Sequence, residues 1–496
     1  MTSASEASDD QTGEPREGGG FGSRGRILGL ILGPIVAAAL LAIGPPEGLA
    51  GPAWTTVALL ALMIVWWVTE AIPISATALL PLLVLPLAGV TTPAEAAAPY
   101  ADPILFLFIA GFMIAVAIER WNLHARIALH IAASAGGQPA ALIGGFILAA
   151  GLLSMWISNT ATALMLTPIA VGVADAMARQ GRPDPALGAG LVLGVAYAAS
   201  IGGMGTPVGS PTNLIAMAFL NERGIALSFG QWMTLGVPVV IILLPTAWFL
   251  LTREVKRVPA EEAQHGRTVL RTALAALGPM SRAEVRVGAV FLLVALGWML
   301  REVLNGVPGL ERLSDMGVAV AGALALFLLP SGAGAERPRL LDWSAAERIP
   351  WGIVILFGGG LSVAGAMEST GLSDWLASAL GGLRAFDVLL IVAALILVTL
   401  VATEAMSNVA TLTAMLPVVA AFAAALGVNP LLLVFPVSIA ASLGFMLPIA
   451  TGPNAIAYAT GRAPLRRMLR QGMLLNLAGV LAILLVNATL AGSVLG

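Results

Sequence analysis

The sequence predicts an all-α, polytopic membrane protein built as an inverted repeat, and three observations carry that prediction. Of its 496 residues 58% are hydrophobic and only 10% charged, where a soluble domain carries about a quarter charged residues. Eleven apolar runs of spanning length punctuate the chain, since about 20 apolar residues cross ~30 Å of hydrocarbon. Two polar motifs recur in the two halves of the chain. The net charge of −2 points to no nucleic-acid partner, and the absence of cysteine excludes disulfides, thiol catalysis and thiolate metal sites. His124, His130 and His265 are too scattered for a zinc motif.

Residues 1–25, rich in Gly, Ser and acids, read as a disordered cytoplasmic tail. The first apolar run, 27–44, imitates a signal peptide, but its acidic leader and the many later runs make it a retained first helix. Further runs lie at 52–69, 73–92, 103–119, 186–219, 232–252, 284–303, 315–331, 350–368, 429–460 and 471–492. Two charge-free stretches, 127–174 and 405–461, are each too long for one helix and are interrupted by Gly, Pro, Ser and Asn. Suppose the N-terminus is inside and 127–180 and 385–427 are re-entrant hairpins. All but four of the 25 basic residues (Arg223, Arg301, Arg312 and Arg384) then fall on the cytoplasmic side, as Lys and Arg prefer. A single crossing through either stretch spoils this bias, whereas two full crossings preserve it.

The two halves repeat. Glu119, Ser154, Ser158, Asn159 and Pro168 recur 249 positions later as Glu368, Thr403, Ser407, Asn408 and Pro417, so 158-SNTAT-162 is answered by 407-SNVAT-411. The segments 203-GMGTPVGSPTN-213 and 444-GFMLPIATGPN-454 form a second pair, 241 apart. In the topology above the first hairpin enters from inside and the second from outside, an arrangement characteristic of secondary transporters. Irregular backbone at membrane depth survives only where protein buries it or a polar cavity meets it. Ser158 and Asn159 are suited to cap the helix that begins near Ala161. The amides freed at such a tip suit an anion, and the freed carbonyls and side-chain oxygens suit a small hard cation. The competing explanation is that Ser and Thr bond to their own helix while Asn glues helices together. Two copies, each followed by a Gly/Pro/Asn break, favour one shared site. No Lys or Arg lies within these motifs. A bound anion would therefore rely on amide and hydroxyl donors plus co-bound cations, which couples the two ligands thermodynamically.

The two SN(T/V)AT motifs, 69-TEAIPI-74, 200-SIGGMGTPVGSPTN-213, 350-PWGIVILFGGG-360 and 443-LGFMLPIATGPN-454 resemble the divalent-anion/sodium symporter family over about residues 27–492. The resemblance implies sodium-coupled uptake of divalent anions, chiefly C4-dicarboxylates such as succinate, malate and fumarate, with citrate or sulfate in some branches. It also implies eleven transmembrane helices, two re-entrant hairpins, and an elevator-type homodimer in the cell's inner (plasma) membrane. In that scheme 26–126 and 284–384 are scaffold helices, 127–252 and 385–496 are the transport-domain halves, and 253–283 is a cytoplasmic linker. Sodium is the coupling ion, and no other cofactor is implied. By the same resemblance one sodium site takes Ser154, Ser158, Asn159 and the Gly209 carbonyl, and the other takes Thr403, Asn408 and the Ala450 carbonyl. The anion sits between them, beside Asn159, Thr160, Ser210, Asn408, Val409 and Thr451. The chain departs from the family pattern twice: Val409 stands where many members have Thr, and Gly452 replaces a common Pro.

Acids at membrane depth are functional by default yet costly. Glu404, next to Thr403, has two readings: proton coupling or tuning of a cation site, and simple hydrogen bonding to local backbone. Glu70 reads as structural, and Glu119 and Glu368 as helix-end residues. Trp66, Trp67, Trp232 and Trp351 read as interfacial belts. The rival functions on this fold are a proton-coupled carrier, an anion exchanger and an oxyanion efflux permease. An intramembrane enzyme is more remote, because HExxH, paired-Asp and Cys/His nucleophile sets are absent. A channel is also weaker, since paired closed tips suit alternating access.

Overall fold

The computed structural model describes residues 23–180, 184–334 and 337–494. Among these residues the chain is helical, with no strand beyond one isolated bridge between Pro330 and Arg339. Ten of the described helices are long and apolar enough to cross a membrane, and the protein is a multi-pass membrane protein. The expected tail lies outside the described residues as far as residue 22, and Ser23 already opens the first helix, Ser23–Ile43. Arg16 and Arg182 also lie outside the described residues.

The repeat extends from the motifs to the helix boundaries. Leu123–Ser134, Pro139–Ser154 and Asn159–Gln180 begin 249 positions before Leu372–Ala379, Val388–Ala405 and Asn408–Leu426. The turn that starts each trio is kept as well: Asn122 (φ 55°) and Gly371 (φ 74°) both adopt the left-handed conformation. Asn is one of the few residues besides Gly that visit this region routinely.

One boundary differs from the expectation. Residues 127–180 are not a single hairpin, because Leu123–Ser134 is a separate helix and the two arms are Pro139–Ser154 and Asn159–Gln180. The turn between is made at Gly136 (φ 113°), and no charge marks it in the sequence. Gln138 then fixes the base of the hairpin to the linker, donating to the Val258 carbonyl (2.9 Å) and accepting from its amide (3.3 Å). The linker carries its own helix, Ala260–Ala276, which packs on the second arm and on Leu123–Ser134. Arg126 ties the same region to the next helix through Glu284 (Nε to Oε1, 2.6 Å) and caps the linker helix at the Gly278 carbonyl (2.9 Å).

The long apolar runs at 186–219 and 429–460 are each broken. The first gives Pro185–Gly203 and Pro211–Glu222, and the second gives Leu431–Ala440 and Gly452–Ala459. The halves interlock through the short pieces: Pro211–Glu222 packs on Asn408–Leu426, and Gly452–Ala459 packs on Asn159–Gln180. Outside them, Pro103–Arg120 lies on Asp315–Leu328, while Trp351–Ser369 lies on the short helices Ile74–Thr77 and Leu80–Leu87. Each half therefore supports the other.

Two tryptophans depart from the interfacial reading. Trp67 and Trp232 are fully buried, and their indole N–H groups donate to the Ile74 (3.1 Å) and Met204 (3.3 Å) carbonyls. Satisfying the N–H inside the protein removes the need for a wet interface. Trp66 is half-buried, and Trp351 is exposed as a belt residue would be.

Length does not separate a hairpin arm from a full span, since Asn159–Arg179, Val388–Ala405 and Asn408–Leu426 are all long enough to cross. Labelling decides it. In this cysteine-free chain, Ala135→Cys and Arg179→Cys should react with an impermeant maleimide from one face, and Ala385→Cys and Gly427→Cys from the other. Members of one pair reacting from opposite faces would show that its arms do not form a hairpin.

Candidate functional site

Both hairpin tips fold by the same local chemistry. The Ser158 hydroxyl accepts from the Ala161 amide (3.1 Å), and the Ser407 hydroxyl accepts from the Ala410 amide (3.3 Å). Each serine therefore caps its second arm, satisfying an amide that has no helical partner. Behind the cap, Ser154 donates to the Asn159 side-chain oxygen (2.5 Å) and Thr403 donates to that of Asn408 (2.9 Å). The equivalent pair, five residues apart, thus closes each tip. A hydroxyl hydrogen rotates freely, so turning it away presents both oxygens of a pair to a cation.

The breaks opposite the tips are also matched. Asn213 donates to the Gly203 (2.8 Å) and Thr206 (2.7 Å) carbonyls, and Asn454 donates to the Gly444 (2.9 Å) and Leu447 (3.0 Å) carbonyls. Both asparagines are fully buried. They hold carbonyls that the broken helices would otherwise leave unpaired at membrane depth. Their place in two Gly/Pro/Asn segments 241 residues apart was visible in the sequence, but the role was not.

In the first half the structure brings Ser154, Asn159 and the Gly209 carbonyl together, while the Ser158 hydroxyl is engaged as the helix cap. A Cβ added to Gly203 would lie 2.5 Å from the Asn159 Oδ1 and 2.9 Å from the Gly209 carbonyl oxygen. One added to Gly209 would meet the Gly203 (2.7 Å) and Met155 (3.0 Å) carbonyl oxygens. The carboxamide of Asn159 and the carbonyl of Gly209 therefore converge where only glycine fits. Thr206 braces this arrangement, accepting from the Gly209 amide (3.1 Å) and donating to the Met155 carbonyl at the tip.

The second half uses different partners. The Thr403 hydroxyl also lies 2.5 Å from the Ala441 carbonyl, so its single hydrogen serves either that oxygen or Asn408, while Ala450 packs on Gly444. Glu404 accepts from three successive amides: Phe445 (3.0 Å) and Met446 (2.9 Å) to Oε1, and Leu447 (3.0 Å) to Oε2. Asn476 donates to Oε1 as well (2.7 Å). All of these partners are donors, so they draw on the acceptor capacity of the Glu404 side chain. Glu404 is hydrogen-bonded to backbone, but to that of the second break, 41 to 43 residues along the chain, rather than to its own local backbone.

The residues expected around the anion divide by exposure. Asn159, Thr160, Asn408 and Thr451 are half-buried, whereas Ser210 and Val409 are buried. Ser210 is engaged with Thr212 (2.8 Å), which reaches Ser442 of the other half (3.1 Å). Thr160 abuts the second break: a Cβ on Gly452 would lie 2.6 Å from its Oγ1. The departure at Gly452 thus leaves the space that the Thr160 hydroxyl fills. None of the four segments carries Lys or Arg.

Comparison with known proteins places these features. Residues 25–496 match the family described as the sodium:sulfate symporter transmembrane region. The sodium-dependent dicarboxylate transporter SdcS of Staphylococcus saprophyticus is 37% identical over 480 residues, 95% of this chain and 92% of that protein. Its namesake from Staphylococcus aureus USA300 is 36% identical over 485 residues, 96% and 93% of the two chains. The crystal structure of the Alcanivorax borkumensis YdaH transporter superposes with a TM-score of 0.56 at 14% identity, covering 94% of this chain and 98% of that one. That likeness is one of fold.

Asn454→Ala leaves the Gly444 and Leu447 carbonyls without their donor. Unsatisfied buried groups cost about 1–3 kcal/mol each, so thermal unfolding in detergent should show a clear loss of stability. An unchanged Tm would mean that the break does not depend on this side chain.

Proposed function

Because the chain belongs to the sodium:sulfate symporter family, we propose that it is a secondary active transporter for sodium-coupled uptake of divalent anions. The substrate class is the C4-dicarboxylates, succinate, malate and fumarate. The observation that carries this reading is the pair of oxygen-lined tips in four segments without Lys or Arg. An uncompensated buried charge costs tens of kcal/mol in the idealised limit, so a dianion needs counter-charge that these segments do not supply. Two sodium ions would supply it. The first is held by Ser154, Ser158, Asn159 and the Gly209 carbonyl, and the second by Thr403, Asn408 and the Ala450 carbonyl. The anion lies between them, against Asn159, Thr160, Ser210, Asn408, Val409 and Thr451.

Binding in this scheme is ordered by electrostatics. Each sodium adds a positive charge beside the tip amides, and the anion then replaces water with donors already oriented toward it. The coupling is reciprocal, so the anion tightens sodium as sodium tightens the anion. Homodimeric assembly, elevator movement of 127–252 and 385–496 against 26–126 and 284–384, and a plasma-membrane location with a cytoplasmic N-terminus complete the proposal. The distribution of basic residues supports that orientation.

Uptake of labelled succinate, citrate and sulfate into proteoliposomes, with and without a sodium gradient, tests the function. Succinate uptake that requires the gradient is expected. Asn159→Ala and Asn408→Ala each delete an oxygen worth about 1.5–3 kcal/mol in a charge-assisted contact. Sodium affinity should fall about tenfold or more. Normal sodium dependence in both variants would refute the assigned sites.

A further inference from the structure

The first tip carries a residue that neither the cation nor the anion assignment uses. Trp156 lies between Ser154 and Ser158, and its ring reaches away from the oxygen cluster toward Arg282–Met299, the helix after the linker. It stacks on Phe229 (6.0 Å between centroids, 14° between planes) and on Trp298 (6.4 Å, 3°), and meets Phe291 edge-on (5.1 Å, 84°). Phe229 and Trp298 stack on each other at 4.3 Å and 10°. The cluster is anchored by polar bonds to one residue: the Phe229 amide donates to the Asp315 carboxylate (2.8 Å) and the Trp298 indole donates to the Asp315 carbonyl (2.9 Å). Asp315 in turn pairs with Arg301 (3.0 Å).

The tip is thereby gripped from two sides. Thr206 holds the Met155 carbonyl from the first break, and the aromatic cluster holds the next residue, Trp156, from Arg282–Met299. These two residues span the turn whose ends carry Ser154 and Asn159, so their placement sets the distance between the two oxygens. The second tip has no aromatic ring at this place, since the position 249 residues after Trp156 is Ala405. The asymmetry singles out the first tip.

We propose that Trp156 is a positioning residue for the first cation site, and that its stack on Phe229 and Trp298 couples cation occupancy to docking of the tip against Arg282–Met299. The proposal rests on the reading of Ser154, Ser158 and Asn159 as cation ligands. A cation that fixes the tip favours the stacked arrangement, and the stack favours the cation by the same factor. Undocking the tip loosens the ligand set at the step where the ion must leave.

The test is the sodium dependence of succinate uptake by the full chain in proteoliposomes. Trp156→Ala should raise the sodium concentration for half-saturation about three- to tenfold, the range to which the loss of an aromatic pair converts. The succinate half-saturation at saturating sodium should move less than twofold. Trp298→Leu, far along the chain from every ligand, should raise the sodium requirement likewise, and the double variant should exceed neither single one by more than about twofold, as coupled residues behave. Should Trp156→Ala fail to fold, Trp298→Leu carries the test alone. Unchanged sodium half-saturation in Trp298→Leu, or effects of the two substitutions that multiply, would overturn the proposal. Absence of sodium dependence in the wild type would overturn the proposed function itself.

Discussion

A helix that stops inside a membrane exposes carbonyls and amides where no water can satisfy them. Among the described residues the two repeats stop helices at matched places, two hairpin tips and two breaks in apolar runs, and the surrounding structure satisfies the groups freed there. Ser158 and Ser407 cap the amides. Asn213 and Asn454 collect carbonyls in pairs. The Asn159 and Asn408 oxygens are held by the Ser154 and Thr403 hydroxyls, whose hydrogens can rotate away and offer the oxygens to a ligand. The site is what remains when a broken backbone has been made stable.

The two halves solve the same problem with different means. The first break is joined to its tip by a neutral hydroxyl, Thr206 to the Met155 carbonyl. The second is joined by the carboxylate of Glu404, held by three consecutive amides and Asn476. A buried carboxylate is tolerable only when its acceptor capacity is filled, and here it is. The first tip is also the one stacked against Arg282–Met299 through Trp156. Pseudo-symmetry matches the two tips, and the departures from it leave the halves unequally braced.

Much of this was legible in the sequence because it depends on spacing. The offset of 249 between the SNxAT motifs predicts the helix starts at Leu372, Val388 and Asn408 from those at Leu123, Pro139 and Asn159. Membership of the sodium:sulfate symporter family agrees with the resemblance those motifs carry. Features that depend on distant partners were not legible. Trp232 looks interfacial until the Met204 carbonyl is found beside its indole. The helix Leu123–Ser134 merges with the hairpin because an apolar run hides the turn at Gly136. The grip on Trp156 involves residues 73 to 142 positions away, and no periodicity announces it.

The central claim is that the anion site is incomplete without bound cations, since its four segments offer donors but no Lys or Arg. Equilibrium binding of labelled succinate to the purified protein, measured across sodium concentrations with choline keeping ionic strength constant, tests it most directly. The account predicts negligible binding in choline and an affinity that rises steeply with sodium, with Asn159→Ala flattening the rise. Succinate binding of equal affinity in sodium and in choline would contradict it.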